Sequence, residues 1–240
     1  MISGKYKNIH KGKSGVLFAT GPSLNQFTPN LLDEPLEDVV KVGVNSFIYK
    51  DDVDLDYYFC AQDVAKEPSD HPHKSDDAPE ILLKTPLFDK ILEKCDKVKV
   101  FCAYSVDGKR HHELFNDEEI ERMNAETYEL DSRLGAKRFR KDISSGPLFN
   151  HSISFPALQF LLYVGVTKIY LVGCDSSGGK SYLMPEAPAW RLALNGYKIG
   201  QWRDFRDFRE EEYPEVELVS VNPIGLKGMF RDKNSREVYS

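Results

Sequence analysis

The chain reads as an α/β protein with a Rossmann-like, mostly parallel sheet, helices on both faces and an inserted helical lid. Three observations carry that reading. Apolar runs recur at residues 16–19, 39–44, 57–61, 98–103, 169–172 and 216–221, with helical or polar stretches between most of them. Such alternation predicts a parallel sheet sandwiched by helices. The first run breaks off at a glycine, a proline and a hydroxyl residue, and the pattern is interrupted once, between Ser105 and Asn150, by a strongly charged segment. A single domain spanning 1–240 with a lid at about 105–150 follows, and 240 residues suffice for it.

Val16-Leu17-Phe18-Ala19 predicts a buried first strand, and Thr20-Gly21-Pro22-Ser23 its turn into a helix. Pro22 suits the first helical turn, Ser23 or Thr20 can cap its amides, and Gly21 permits the close backbone approach a ligand would need. Free amides at the positive end of a helix dipole favour a phosphate there. The second run delivers Asn45-Ser46 to its own carboxyl end.

The charged insertion has an acidic half, 113–131, and a basic half with Arg133, Lys137, Arg138, Arg140 and Lys141. Charge runs of this kind form solvated helix faces. The functional alternative is a lid whose arginines reach a diphosphate or acidic sugar on closing, hinged at Ser144-Ser145-Gly146-Pro147.

Residues 155–165 are apolar on nearly every side and predict a buried helix stopped by Gly165. Lys168-Ile169-Tyr170-Leu171-Val172 then reads as a central strand that places Asp175 at the carboxyl edge, where doubly wound folds keep their ligands. Ser176 through Tyr182 is a polar loop directly after that strand, a position at which loops carry function more often than elsewhere. Trp190, Trp202, Phe205 and Phe208 fit a helical stripe in part, with packing as their default role, and Asn195-Gly196 marks a break in that helix. Glu217-Leu218-Val219-Ser220-Val221 is read as the last strand, ending at Asn222-Pro223.

The bulk properties narrow the function. A net charge of −6 excludes a general nucleic-acid binder, whose affinity rests on clustered Lys and Arg. Cys60, Cys95, Cys102 and Cys174 have no CxxC spacing and read as buried free thiols, hence a reducing, cytoplasmic setting. His71, His73, His111 and His112 lie in polar sequence without metal-site spacing. No signal core or membrane-span-length apolar segment is present. Gly12-Lys13-Ser14 is no P-loop, since it precedes the first strand.

Thr20–Ser23, Asn45-Ser46, Asp175–Tyr182 and Asn222–Gly225 are thus expected at one sheet edge. Their mostly neutral hydrogen-bonding side chains suit a base, ribose and phosphate better than a carboxylate metal cage. The chain resembles the bacterial sialyltransferases of glycosyltransferase family 42 and related glycosyltransferase-like proteins. The resemblance is carried in order by Ala19-Thr20-Gly21-Pro22-Ser23-Leu24, by Val44-Asn45-Ser46-Phe47-Ile48-Tyr49, by Gly165 through Asp175, by Tyr182 and by Val221-Asn222-Pro223. The segment 105–150 has no counterpart.

What the resemblance implies is a metal-independent transfer of sialic acid from its CMP donor. Thr20, Gly21, Pro22, Ser23, Asn45, Ser46 and Asn222 would hold the nucleotide, with Lys180 and Tyr182 at the donor phosphate. The partners implied are a nucleotide sugar and a glycan or small-molecule acceptor, with homo-oligomerisation left open. Two departures are visible. Thr20 stands where the family motif has Asn, and residues 183–240 contain no His to serve as the family's general base. Asp175, Asp63 and His151 are the remaining base candidates. A related branch, resembling hydroxymethylpterin diphosphokinases, implies Mg²⁺ held by Asp63 and Asp175. A non-catalytic sugar-nucleotide-binding subunit is the third reading.

Overall fold

The computed structural model describes residues 2–60, 84–105, 115–131, 139–149, 152–176 and 195–234. Its centre is a parallel sheet of β1 (Ser14–Phe18), β2 (Val40–Val44), β3 (Tyr57–Cys60), β4 (Lys99–Ser105), β5 (Glu126–Asp131), β6 (Leu148–Phe149), β7 (Lys168–Val172), β8 (Glu217–Val221) and β9 (Arg231–Lys233). The order is β6-β5-β4-β3-β2-β1-β7-β8-β9, and every described pairing is parallel.

The strands at the middle are apolar at consecutive positions because both faces are covered. Along β1 and the residue after it, Leu17 and Ala19 enter one core while Val16 and Phe18 enter the other. The first core is covered by α3 (Ser154–Tyr163) and α4 (Asn195–Glu212). The second is covered by α1 (Lys84–Leu92), α2 (Asp117–Arg122) and the 3₁₀ turns at Pro22–Gln26 and Asn45–Tyr49. Helices on both faces are therefore present as expected.

All ten residues of α3 are buried. The ring of Phe160 meets those of Tyr6, Tyr57, Phe59 and Phe101 at centroid distances of 4.7–5.6 Å. Gly165, at φ 89°, ends the turn after α3 as predicted. Its carbonyl accepts from Gly12 N–H at 2.9 Å, pinning the residues before β1 to this corner.

Three elements differ from the sequence reading. The described part of 105–150 holds one short helix, α2, while β5 and β6 from the same segment extend the sheet. Tyr128 and Leu130, alternate residues of an acidic run, supply the buried face that joins β5 to the core. Asn195-Gly196 opens α4 instead of interrupting a helix. Finally β8 is followed by β9, whose residues are all charged and carry no apolar signal.

Among the described residues no helix is long and apolar enough to cross a membrane. The four cysteines are free, Cys95 half-buried and the others buried.

Candidate active site at the carboxyl edge

The order of the strands locates the site. The chain starts at β1, moves outward to β6, then returns to pair β7 on the other side of β1. That reversal leaves a crevice at the carboxyl ends of β1 and β7, the position at which open α/β sheets hold ligands.

Each neighbouring strand ends in an unusual backbone. The residue directly after β2 is Asn45 at φ 48°, after β7 Gly173 at φ 69°, and after β8 Asn222 at φ 49°; Ser176 also has a positive φ, 45°. Left-handed conformations at non-glycine residues cost energy and cluster at functional sites. Here they are held from outside. Tyr58 Oη donates to Asn45 O at 2.8 Å, Asn222 Nδ2 to Gln26 O at 3.1 Å, and Trp202 Nε1 to Ser176 Oγ at 2.8 Å.

Asp175 joins three of the strand tips. Its Oδ2 accepts from Ser23 N–H at 2.7 Å, and its carbonyl accepts from Gly225 N–H at 2.7 Å. Both glycines beside it are demanded by contact. A Cβ on Gly21 would lie 2.4 Å from Asp175 Oδ2 and 2.5 Å from Gly173 O, and one on Gly225 would lie 2.4 Å from Asp175 O. Gly21 has an ordinary φ of −71°, so space alone excludes a side chain there.

These contacts revise the expected anion site. Pro22–Gln26 is a five-residue 3₁₀ turn, with Pro22 in its first turn as foreseen but no side-chain cap from Thr20 or Ser23. The cap comes from Asp175, distant in sequence. Ala19 and Gly21 donate to Val172 O and Gly173 O, and Leu24 to Gly21 O, so with Ser23 these amides are engaged within the protein. The close approach at Gly21 is made by the chain's own carboxylate and carbonyl. Phe27 leaves the turn in extended backbone and Pro29 follows two residues on, so the turn is not prolonged into a helix with an appreciable dipole.

Burial divides the site residues. Ser23 is 2% exposed and Asp175 3%, with Ser46 and Asn222 also buried. Thr20, Gly21, Pro22, Asn45 and Ser176 are partly exposed and form the open rim. Ser23 Oγ and Asp175 Oδ1 are buried without a partner of hydrogen-bond geometry. Burial pushes the Asp175 carboxyl above its ordinary range, while the Ser23 side chain and amide pull it the other way.

Lys180 and Tyr182 lie outside the described residues, as do Asp63, His151, Trp190, Arg133, Lys137 and Arg138. Of the basic run, Arg140 donates its amide to Gln159 Oε1 at 3.0 Å, and its guanidinium fills the space beside Gly146. Lys141 pairs with Glu212 at 3.3 Å. Glu212 ends α4 on the way to the start of β8, so Lys141 is tied to the amino edge, opposite the crevice. Trp202, read from the sequence only as a packing residue, reaches the rim at Ser176, a contact with no local sequence signal.

For the Mg²⁺ alternative, Asp175 has one oxygen committed to Ser23 and both buried. Among the described residues no group of three or more His, Cys, Asp or Glu could hold a metal ion.

Fold and site together define a doubly wound α/β protein with its candidate site where the strand order reverses. No protein-family model matches the chain, and no curated protein does. Among solved structures it is similar to the sialyltransferase CST-II in complex with a trisaccharide acceptor and CMP, at 14% identity and a TM-score of 0.49 over 87% of this chain and 80% of that one. It is also similar to the sialyltransferase CstII from Campylobacter jejuni in complex with the substrate analogue cytidine-5'-monophosphate, at 12% identity and a TM-score of 0.43 over 88% and 80%. Both likenesses are remote. The hydroxymethylpterin diphosphokinase relation finds no support in these comparisons.

Proposed function

We propose that the chain is a metal-independent glycosyltransferase that takes a nucleotide-activated sugar, CMP-sialic acid above others, at the carboxyl edge of β2, β1 and β7. One observation carries the reading. The residues at which the chain resembles family 42, Gly21-Pro22-Ser23, Asn45, Asp175 and Asn222, come from four separate strands and lie at one edge, three of the four tips joined by hydrogen bonds. The rim is lined by neutral hydrogen-bonding groups, which suit a nucleotide and a sugar.

In this reading Thr20, Gly21, Pro22 and Asn45 line the donor, while Ser23, Ser46 and Asn222 support that surface from beneath. Lys180 and Tyr182, which follow Ser176 in the chain, meet the departing phosphate. Hydrogen bonds preorganised toward that leaving group supply the main catalytic effect, on the order of 3 kcal/mol for one donor.

Calorimetric titration with CMP, UDP, GDP and ATP, with and without Mg²⁺, tests the assignment. Metal-free binding of CMP in preference to the others is expected. Mg²⁺-dependent binding of ATP alone would overturn it. CMP binding with no turnover of CMP-sialic acid over a broad acceptor panel would instead establish the non-catalytic subunit, which the absence of His from 183 to 240 favours.

A further inference from the structure

We propose that Asp175 is a positioning residue of this edge: its carboxylate is a fixed acceptor that holds the turn after β1 against the tip of β7 and so shapes the rim made by Thr20, Gly21 and Pro22. The proposal rests on the glycosyltransferase reading for its effect on ligands, and on geometry for the strut itself.

The geometry is specific to a strut. One carboxylate oxygen takes the Ser23 amide at 2.7 Å, an amide whose own short turn offers it no acceptor. The backbone of the same residue takes the Gly225 amide, so Asp175 ties the tips of β1, β7 and β8 at once. Glycines at 21 and 225 are cut to fit it, because a Cβ at either would fall within 2.4 Å of an Asp175 oxygen. A buried N–H that loses such an acceptor costs more than the hydrogen bond is worth when made.

The same geometry argues against a proton-transfer role. A general base needs its oxygen within about 2.6–3.2 Å of the acceptor hydroxyl, directly or through one water. Asp175 is 3% exposed, its Oδ2 is committed to Ser23, and its Oδ1 is buried. Among the described residues, the partly exposed groups at the crevice belong to Thr20, Gly21, Pro22, Asn45 and Ser176. What Asp175 contributes is acceptor position, and an asparagine oxygen can occupy the same position.

The test compares wild type with Asp175→Asn and Asp175→Ala in three measurements: amide exchange at Ser23, calorimetric affinity for CMP, and release of CMP from CMP-sialic acid. Ser23 exchange should be slow in wild type and Asn and fast in Ala, with β1 and β7 amides reporting that each variant is folded. Asn should keep CMP affinity within about threefold, and Ala should lose about tenfold or more, a step of about 1.4 kcal/mol. The Ala loss should fall on affinity and KM with kcat less affected, and Asn should restore it.

Equal Ser23 exchange in all three proteins would overturn the strut. A loss of turnover of about 10²-fold or more in Asn with CMP affinity retained would overturn it too, because it marks a base. If Asp175→Ala does not fold, a Ser23 amide that exchanges fast in folded wild type overturns the strut, and the turnover criterion is read in Asn as before. If wild type binds none of the four nucleotides, the glycosyltransferase reading fails separately, and Ser23 exchange alone judges Asp175.

Discussion

Replacing Gly21 with alanine adds a single methyl group at the most crowded point of the edge. The new Cβ would lie 2.4 Å from Asp175 Oδ2, 2.5 Å from Gly173 O and 2.8 Å from Asp175 Cγ. A side-chain tip can swing away, but Gly173 O is backbone and already accepts from Gly21 N–H at 2.7 Å, so relief requires the tips of β1 and β7 to separate. Overpacking of this kind costs about 1–3 kcal/mol. Displacing the carboxylate from the Ser23 amide adds about 1–3 kcal/mol for a buried donor left without a partner. Against these, alanine restricts the unfolded chain and returns about 0.4–1 kcal/mol, since φ at Gly21 is one alanine adopts freely. A net loss of about 2–4 kcal/mol results, which for a chain of this length is roughly 5–15 °C in Tm. Urea denaturation followed by far-UV circular dichroism measures it. The same substitution made in an Asp175→Ala background should cost less, because one of the two clashes is gone; the difference should be about 0.5–3 kcal/mol, the range expected for residues in contact. A destabilisation below about 0.5 kcal/mol, the level of an ordinary surface change, would refute the crowding argument.

Two further predictions follow from other parts of the molecule. Asp33 is held well below the usual carboxylate range by Lys233, against a smaller opposing effect of burial, with Arg231, Tyr170 and Lys168 adding to the depression. Its stabilisation is present above the unfolded value of about 3.9 and is lost as pH falls through the lower folded value. The acid limb of the urea midpoint should therefore flatten in Asp33→Asn, and an unchanged limb between about pH 5 and pH 2 would remove this ion cluster as its cause. Asn45, at φ 48°, should tolerate glycine with little change or a small gain, while Asn45→Val should lose on the order of 1–2 kcal/mol. Equal urea midpoints for the two variants would contradict a left-handed residue after β2.

The two cores and the middle of the sheet were legible for a reason that does not extend to its edges. β1, β2, β3, β4, β7 and β8 are covered on both faces, so consecutive apolar residues announce them. β5 exposes one face and hides in an acidic run, and Arg231-Asp232-Lys233 of β9 joins the sheet by backbone pairing and by ion pairs to Asp33 and Glu217, with no apolar residue to announce it. The same physics separates what could be read at the site. A polar residue directly after a buried strand is conspicuous, which is why Thr20, Asn45, Asp175 and Asn222 all stand out in the sequence. Whether such a residue meets a ligand or another part of the chain depends on partners far away: Ser23 and Asp175 are 152 positions apart, and Trp202 reaches Ser176 from another helix. Aspartate, serine and glycine at strand ends serve equally to bind a phosphate and to tie a turn. At this edge the glycines decide between the two, since the space they leave is filled by Asp175 and Gly173. Among the described residues, what this leaves open at the crevice is therefore the outer rim, Thr20 through Pro22 with Asn45 and Ser176, above the buried Ser23 and Asp175.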